Sequence, residues 1–287
     1  MGKKINKNNC SIFGHVCSDI VNDRYVPGGT ALYASITAQN LDVTPRLVTS
    51  CGFGYPFSNH LPKDLVVVPA EKSTVFQNTY RNGSRSQRLF SLASRITVQD
   101  IPESWKNSDM ALVSPIAGEV DFNVIEALSS DVLVCVCPQG WLRTWDSEGN
   151  VSRRQTNSFN WDYLRRADVI IISEEDIGGN ESALTNIING DNITIITRAE
   201  KGSSVFLQGG ERHDISAIDA KVVDECGAGD VFAMAFLVRF HSTGDWRRAA
   251  QFASAAAACS VEGEAIYAIP ALQQVEARMN FINAENS

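Results

Sequence analysis

No apolar run in this chain approaches the roughly 20 residues that a membrane span requires. The longest, such as 231–238, stop well short of it. No stripe of Lys and Arg offsets a formal net charge of −8, which argues against a protein that coats nucleic acid or an anionic membrane surface. No Cys-x-x-Cys pair occurs. The seven cysteines (10, 17, 51, 135, 137, 226 and 259) are odd in number and scattered, so neither a disulfide framework nor a zinc site is indicated. Cys135 and Cys137 flank Val136 in an apolar run and read as two core thiols on one strand face, and Cys226 reads as a small buried residue rather than a nucleophile. No Gly-Lys-Ser/Thr loop of the P-loop kind is present. Gly52-Phe-Gly54 does not extend to a dinucleotide fingerprint, because Phe57 stands where the third glycine belongs. Internal repeats and low-complexity tracts are missing too. The Lys-rich start, Met1 to Lys7, has no long apolar segment behind it, so the expectation is a soluble, cytoplasmic protein.

What is there is ample material for a core: 287 residues, 44% of them hydrophobic. Short apolar runs at 11–16, 46–50, 110–114, 132–136, 169–172 and 193–197 predict buried strands. Between them, 30–39, 123–128, 182–188, 228–241, 246–261 and 271–279 have the length or alanine content of helices. Such alternation predicts an α/β fold, a doubly wound and mostly parallel sheet with helices on both faces. One segment breaks the rhythm. Residues 73–80 and 87–92 are β-prone and flank Asn82-Gly83, the signature of a hairpin outside the main sheet that could serve as a lid. A second short hairpin is expected from 141–145 and 151–154, turned at Glu148-Gly149-Asn150.

The densest chemistry lies at Asp224-Glu-Cys-Gly-Ala-Gly-Asp230, which runs directly into the apolar helix that begins at Val231. Small residues at 227–229 let backbone N–H groups approach an anion, and the helix N-terminus adds partial positive charge at the same point. Asp230 then faces whatever meets that anion. An ordinary helix start, with Asp230 complementing the dipole, is the competing account. Since open α/β sheets bind ligands at the carboxyl ends of their strands, three further turns draw attention: Asp19 with Gly28-Gly29, 173–176, and 197–202.

In order and content these motifs resemble the ribokinase-like (PfkB) carbohydrate kinases over almost the whole chain. The resemblance rests on Asp19, Pro27-Gly-Gly-Thr-Ala31, the hairpin, Thr197-Arg-Ala-Glu-Lys-Gly202 and the 224–230 signature. Gly14-His-Val-Cys-Ser-Asp19, Thr74-Val-Phe76, Gln87-Arg88 and Pro138-Gln-Gly-Trp-Leu-Arg143 are most similar to the branch that phosphorylates myo-inositol or related polyols. The resemblance implies one kinase domain over 1–287 with lid strands at about 20–27 and 73–92. It implies Asp230 as the base on an acceptor hydroxyl, and Gly227, Ala228 and Gly229 as the cradle for the transferring phosphoryl group. Asp19, Gly28, Gly29, Thr30 and Arg88 would bind the acceptor. Ser173, Thr197, Arg198, Lys201 and Gly202, together with Gly227 and Gly229, would bind the nucleotide, and Glu175 and Asp176 the metal. ATP and Mg²⁺ are the implied cofactors, with a monovalent cation and a homodimer formed through the lid as further options of the family.

For each of these the plainer account stays open: Asp19 as a solvated loop aspartate, Gly28-Gly29 as a helix entry, the lid arginines 81, 85 and 88 as an exposed hairpin's charge, 197–202 as a simple β-turn. The chain also departs from the family. Its usual Asn-x-x-Glu is Ser173-Glu-Glu-Asp176 here, Ala199 replaces the first glycine of the nucleotide turn, and the Asn expected in the helix after the double glycine is absent. A nucleoside or aldose kinase of the same fold, or a catalytically silent sugar-binding relative, are the alternatives these departures leave.

Overall fold

The structure, a computed structural model, describes residues 8–81 and 84–285, with side chains omitted at 80, 81, 84, 85 and 281–285. In chain order the strands are β1 (Asn9–Phe13), β2 (Cys17–Val21), β3 (Arg24–Gly28), β4 (Thr44–Gly52), β5 (Asp64–Ala70), β6 (Thr74–Arg81), β7 (Ser84–Ser91), β8 (Met110–Val113), β9 (Leu133–Val136), β10 (Arg143–Trp145), β11 (Val151–Arg153), β12 (Val169–Ser173), β13 (Ile193–Thr197), β14 (Ser203–Phe206) and β15 (Arg212–Ile215). The helices are α1 (Thr30–Asn40), α2 (Asn123–Glu126), α3 (Glu174–Ile177), α4 (Thr185–Ile188), α5 (Ala228–Thr243), α6 (Trp246–Ser260) and α7 (Leu272–Glu285). Among the described residues no helix is long and apolar enough to cross a membrane.

Nine strands form the main sheet in the order β15-β14-β13-β12-β9-β8-β1-β4-β5. From β13 to β5 every neighbouring pair is parallel. Its central strands are apolar at nearly every position because both faces are covered, and strict alternation then divides each strand between two cores. Met110 and Leu112 of β8, Ile12 of β1 and Ile171 of β12 face the core built with α1, α5 and α6. Ala111, Val113, Phe13, Ile170 and Ile172 face the opposite core, which holds Val124, Ile125, Trp141 and Leu164. Alanines 249, 250, 253, 255 and 256 are all fully buried, which lets α6 pack closely on α5. Gly244 closes α5 in the left-handed region, and the Asp245 carboxylate accepts the Arg248 N–H at 3.0 Å to start α6.

The predicted doubly wound α/β architecture is therefore present, with three differences. β14 and β15 run antiparallel, β13 to β14 to β15, so that edge of the sheet is a meander. β5 was not anticipated: it is a half-exposed edge strand whose Pro69 weakens the sequence signal and is tolerated only because an edge position leaves its missing N–H unneeded. Residues 17–28, where lid strands were expected at about 20–27, form two strands, the first of which starts earlier, at Cys17. Asp19 therefore lies within β2 rather than in a turn after β1.

β2 and β3 join the predicted hairpin in a four-stranded sheet of order β3-β2-β6-β7, with β2 parallel to β6 and the other pairs antiparallel. The Asn82-Gly83 turn lies outside the described residues. Cys17, Phe76 and Leu89 from this sheet bury themselves with Ala117, which lies just beyond β8. The second hairpin is β10–β11; residues 138–142, partly expected as strand, form a 3-10 turn started by Pro138. Its loop docks on β7, where the Leu89 N–H donates to the Gly149 carbonyl at 2.8 Å. Cys135 is buried in β9, while Cys137 sits one residue beyond it and is half-buried.

Candidate active site

Four chain segments meet at the carboxyl ends of the central strands: the β1–β2 turn, the start of α1, the loop after β8, and the turn into α5. The last of these is the most constrained. Gly227 adopts φ 76°, ψ 0°, and its carbonyl accepts the Val231 N–H at 2.9 Å, opening α5. A β-carbon here would stand 2.1 Å from Cδ1 of the buried Tyr33 ring, so both the conformation and the space demand glycine. At Gly229 a β-carbon would meet nothing within 4 Å, so the helix N-terminus is open on that side. The loop ahead is tied down by Asp224. Its carboxylate accepts the N–H groups of Cys226 at 2.9 Å and Ala265 at 3.0 Å, while the N–H groups of Val223 and Asp224 both donate to the Val261 carbonyl. Cys226 is half-buried in this loop, and Asp230 is half-buried in the first turn of α5.

Asp19 comes from the second sheet. It is half-buried on β2, opposite Val26 of β3 and Phe76 of β6, and its carboxylate lies over Gly28, where a β-carbon would be 2.5 Å from Oδ2. Gly29, at φ 94°, turns the chain into α1 so tightly that a β-carbon would be 2.5 Å from the His15 carbonyl and 2.7 Å from the Cys17 nitrogen. The next residue, Thr30, is buried, and its hydroxyl donates to the Ser114 carbonyl at 2.5 Å. It therefore joins α1 to the loop after β8. Asp19 and Asp230 act on the same neighbours. Burial pushes the Cys17 thiol and the Tyr33 phenol well up, and the charges of both aspartates push each of them further in the same direction. Both carboxylates are thus near enough to act on Cys17 and Tyr33.

Glu119, which nothing in the sequence singled out, joins the neighbouring loops. It is buried and accepts backbone N–H groups from both sides: His15 at 2.9 Å, Ile116 at 3.0 Å to each oxygen, and Ala117 at 2.7 Å. His15, fully buried, reaches the other way. Nε2 lies 2.8 Å from the Ser94 carbonyl, which makes it the protonated nitrogen, and Nδ1 accepts from the Thr74 hydroxyl at 2.7 Å. The β1–β2 turn is thereby bonded to the main sheet's loop and to the four-stranded sheet at once. Arg143, half-buried, donates to the Ile116 carbonyl at 3.2 Å.

At the donor end the structure distributes the expected residues unevenly. Thr197 ends β13, and Gly202, at φ 85°, closes the turn so tightly that a β-carbon would be 2.1 Å from the Ile215 carbonyl. Ala199, in the place of the expected glycine, takes φ 48°, a conformation that costs an L-residue about 1 kcal/mol or more. Lys201 is exposed at the end of this turn. Arg198 is largely buried and already engaged: it pairs with Glu174 at 2.9 Å and with Glu181, and donates to the Ser204 hydroxyl at 2.7 Å. Ser173 caps α3, its Oγ accepting the Glu175 N–H at 3.1 Å, so Glu174, Glu175 and Asp176 crowd the helix's first turn. Among the described residues no three side chains of His, Cys, Asp or Glu gather as a ready-made metal site. On β7, Arg88 is exposed, donates Nε–H to the Glu148 carbonyl at 2.7 Å and lies 5.0 Å from the Phe90 ring centre. The side chains of Arg81 and Arg85 fall outside the described residues.

The model of the pfkB family carbohydrate kinases matches residues 150–271, which contain both the 197–202 turn and the 224–230 signature. The 5-dehydro-2-deoxygluconokinase of Clostridium tetani is 29% identical over 107 residues, 37% of this chain and 32% of that protein. That of Listeria innocua is 35% identical over 105 residues, 33% of this chain and 32% of that protein. The matched stretch thus spans about a third of the length of these curated relatives. Solved structures are similar over nearly everything. A fructokinase from Xylella fastidiosa with bound ATP has a TM-score of 0.77 at 16% identity, covering 96% of this chain and 99% of that one. The nucleoside kinase of Methanocaldococcus jannaschii gives 0.75 at 16%, covering 96% and 98%. A pyrophosphate-dependent kinase complexed with a pyrophosphate analog and myo-inositol gives 0.73 at 22%, covering 93% and 99%. The chain thus has a ribokinase-like fold along its length and is similar to the pfkB family carbohydrate kinases over residues 150–271.

Proposed function

We propose that this protein transfers the γ-phosphoryl group of ATP to a hydroxyl of a small polyol or sugar, with myo-inositol the first candidate acceptor. The observation that carries this reading is the turn into α5: a glycine held in the left-handed region at the open N-terminus of a buried helix, with Asp230 in that helix's first turn and Asp19 near enough to act on the same Tyr33. The N–H groups of Gly227, Ala228 and Gly229 would hold the transferring phosphoryl oxygens. Phosphoryl transfer passes through a loose transition state, so positioning and charge stabilisation carry most of the catalysis, and Asp230 has only to orient the hydroxyl and take its proton late. Asp19 would accept hydrogen bonds from acceptor hydroxyls, and ligands lacking them would leave a carboxylate unpaired. Gly28 keeps that carboxylate within reach.

The acidic donor end fits a divalent cation arriving with the nucleotide, since Mg²⁺ takes one or two carboxylates and completes its shell with phosphates and water. Glu175 and Asp176 supply oxygens of the right kind. Bound there, the metal would neutralise phosphate charge. The myo-inositol assignment is supported by the short matches at 14–19 and 138–143 and by the likeness to a kinase complexed with that cyclitol. The four-stranded sheet would act as the lid, and pairing of two lids is the route by which a homodimer would form.

Asp230→Asn tests the reading. It should lower ATP-dependent turnover by roughly 10²–10⁴-fold while polyol binding and melting temperature stay near wild type. Unchanged turnover would remove Asp230 from the role of base. A screen of cyclitols, pentoses, hexoses and nucleosides, each with ATP and with pyrophosphate, decides the acceptor and donor; clear preference for a nucleoside would defeat the polyol assignment.

A further inference from the structure

Beside this site, behind the 115–118 loop, lies a separate cleft of about 380 Å³. Neither Asp19, Gly28, Gly29 nor any residue of 227–230 lines it. Three arginines do, Arg95, Arg143 and Arg154, of which Arg143 is engaged with the Ile116 carbonyl, and no Asp or Glu is among the lining residues. That is unusual for a chain of net charge −8. Among the described residues the side chains of Arg95 and Arg154 make no hydrogen bond or ion pair, and both are exposed at the rim. Like charges gathered around one concave surface repel, and low-dielectric walls strengthen the field they share, so the arrangement favours an anion.

The rest of the cleft is aromatic. Phe122 stacks on Tyr163 with ring centres 4.4 Å apart and planes 17° from parallel, and it touches Trp141 at 4.5 Å. Trp145 and Tyr163 leave 40% and 47% of their surface open. Rings that are held by a packed base yet open on one side are suited to stack a flat ligand ring, and guanidinium groups beside them suit a phosphate in forked geometry.

We propose that this cleft is a second ligand site, taking a small phosphate monoester whose phosphate is held by Arg95 and Arg154 and whose ring lies against the exposed aromatic faces. It stands apart from the phosphoryl-transfer site but shares a wall with it. Ala117 lines the cleft and packs on the other side with Cys17, while Arg143 holds the Ile116 carbonyl. The proposal needs no turnover and so stands or falls separately from the kinase reading.

Tryptophan fluorescence reports on it directly, because Trp141 and Trp145 line the cleft, and calorimetry gives the stoichiometry. The probes are fructose 6-phosphate, AMP, fructose and inorganic phosphate, titrated without ATP into wild type, Asp230→Asn, Arg95→Ala/Arg154→Ala, Tyr163→Ala and Arg165→Ala. Saturable binding of an ester is expected, weaker for phosphate alone and absent for fructose. Arg95→Ala/Arg154→Ala should weaken it by roughly tenfold or more. Asp230→Asn should leave it unchanged, as should Arg165→Ala, which removes an exposed arginine outside the cleft. Tyr163→Ala should weaken esters more than phosphate. Tighter binding of AMP than of the sugar ester would make the stacked ring a base. No saturable binding of either ester, or binding that ignores the loss of Arg95 and Arg154, would overturn the proposal.

Discussion

Tyr33 and Gly227 compete for one volume: a β-carbon on the glycine would stand 2.1 Å from Cδ1 and 2.2 Å from Cε1 of the ring. The ring is held within the core by α1, so the turn that opens α5 is shaped from another element. Gly227→Ala must therefore displace the ring, the turn or both. We expect a loss of about 1–3 kcal/mol in stability and at least about 100-fold in turnover. Gly229→Ala, with open space around the added methyl, should melt as wild type does. Thermal melts and steady-state rates of the two variants check the contrast.

Gly28→Ala aims at the acceptor instead. Its methyl would lie 2.5 Å from Asp19 Oδ2, and the carboxylate, being the movable partner, would swing away. The acceptor KM should rise by roughly tenfold or more, the worth of a charge-assisted hydrogen bond, with little change in melting temperature. Gly29→Ala meets backbone rather than side chain and should cost stability first. Parallel acceptor titrations and melts separate the two.

Arg198 is committed to Glu174, Glu181 and Ser204. Arg198→Met leaves two carboxylates facing each other without their cation, and we expect a loss of about 2 kcal/mol in denaturant unfolding. The KM for ATP should move less than stability does. A large rise in KM with unchanged unfolding would show the guanidinium to be a donor ligand first.

On the acid side, the Glu262 carboxyl is held below its ordinary range by the Arg278 guanidinium that donates to it at 2.6 Å, and Asp214 by Ser204 and then Arg212. Both groups release protons more readily folded than unfolded. Their contribution is present above the ordinary carboxylate pKa, near 4, and is lost as pH falls through the lowered folded values. Melting temperatures taken from pH 5 down to pH 3 should fall less steeply for Glu262→Gln than for wild type.

Strands buried on both faces declared themselves in the sequence, and 193–197 did so to the residue, because a continuous apolar run leaves few alternatives. Edge strands did not. β5 is half-exposed and contains a proline, and β2 carries Asp19 through its middle, so neither has the period or the apolarity that marks a strand. Tight turns were legible where backbone conformation dictates a residue type, as at Gly29, Gly202 and Gly227, all at positive φ. Partners chosen by tertiary contact were hidden. Glu119 sits in an unremarkable Gly-Glu-Val sequence and gains its donors from residues on two separate loops, and nothing local distinguishes Arg198, bound by carboxylates, from an available cation.

The carboxylate of Glu119 also bears on how such a protein can change its acceptor over generations. By gripping the N–H groups of His15, Ile116 and Ala117, it makes the floor of the proposed acceptor space from main chain, which point substitutions alter little. Walls supplied by lid side chains can then drift without unfolding what lies beneath them. New acceptor preferences would accumulate on β2, β6 and β7, above a floor inherited unchanged.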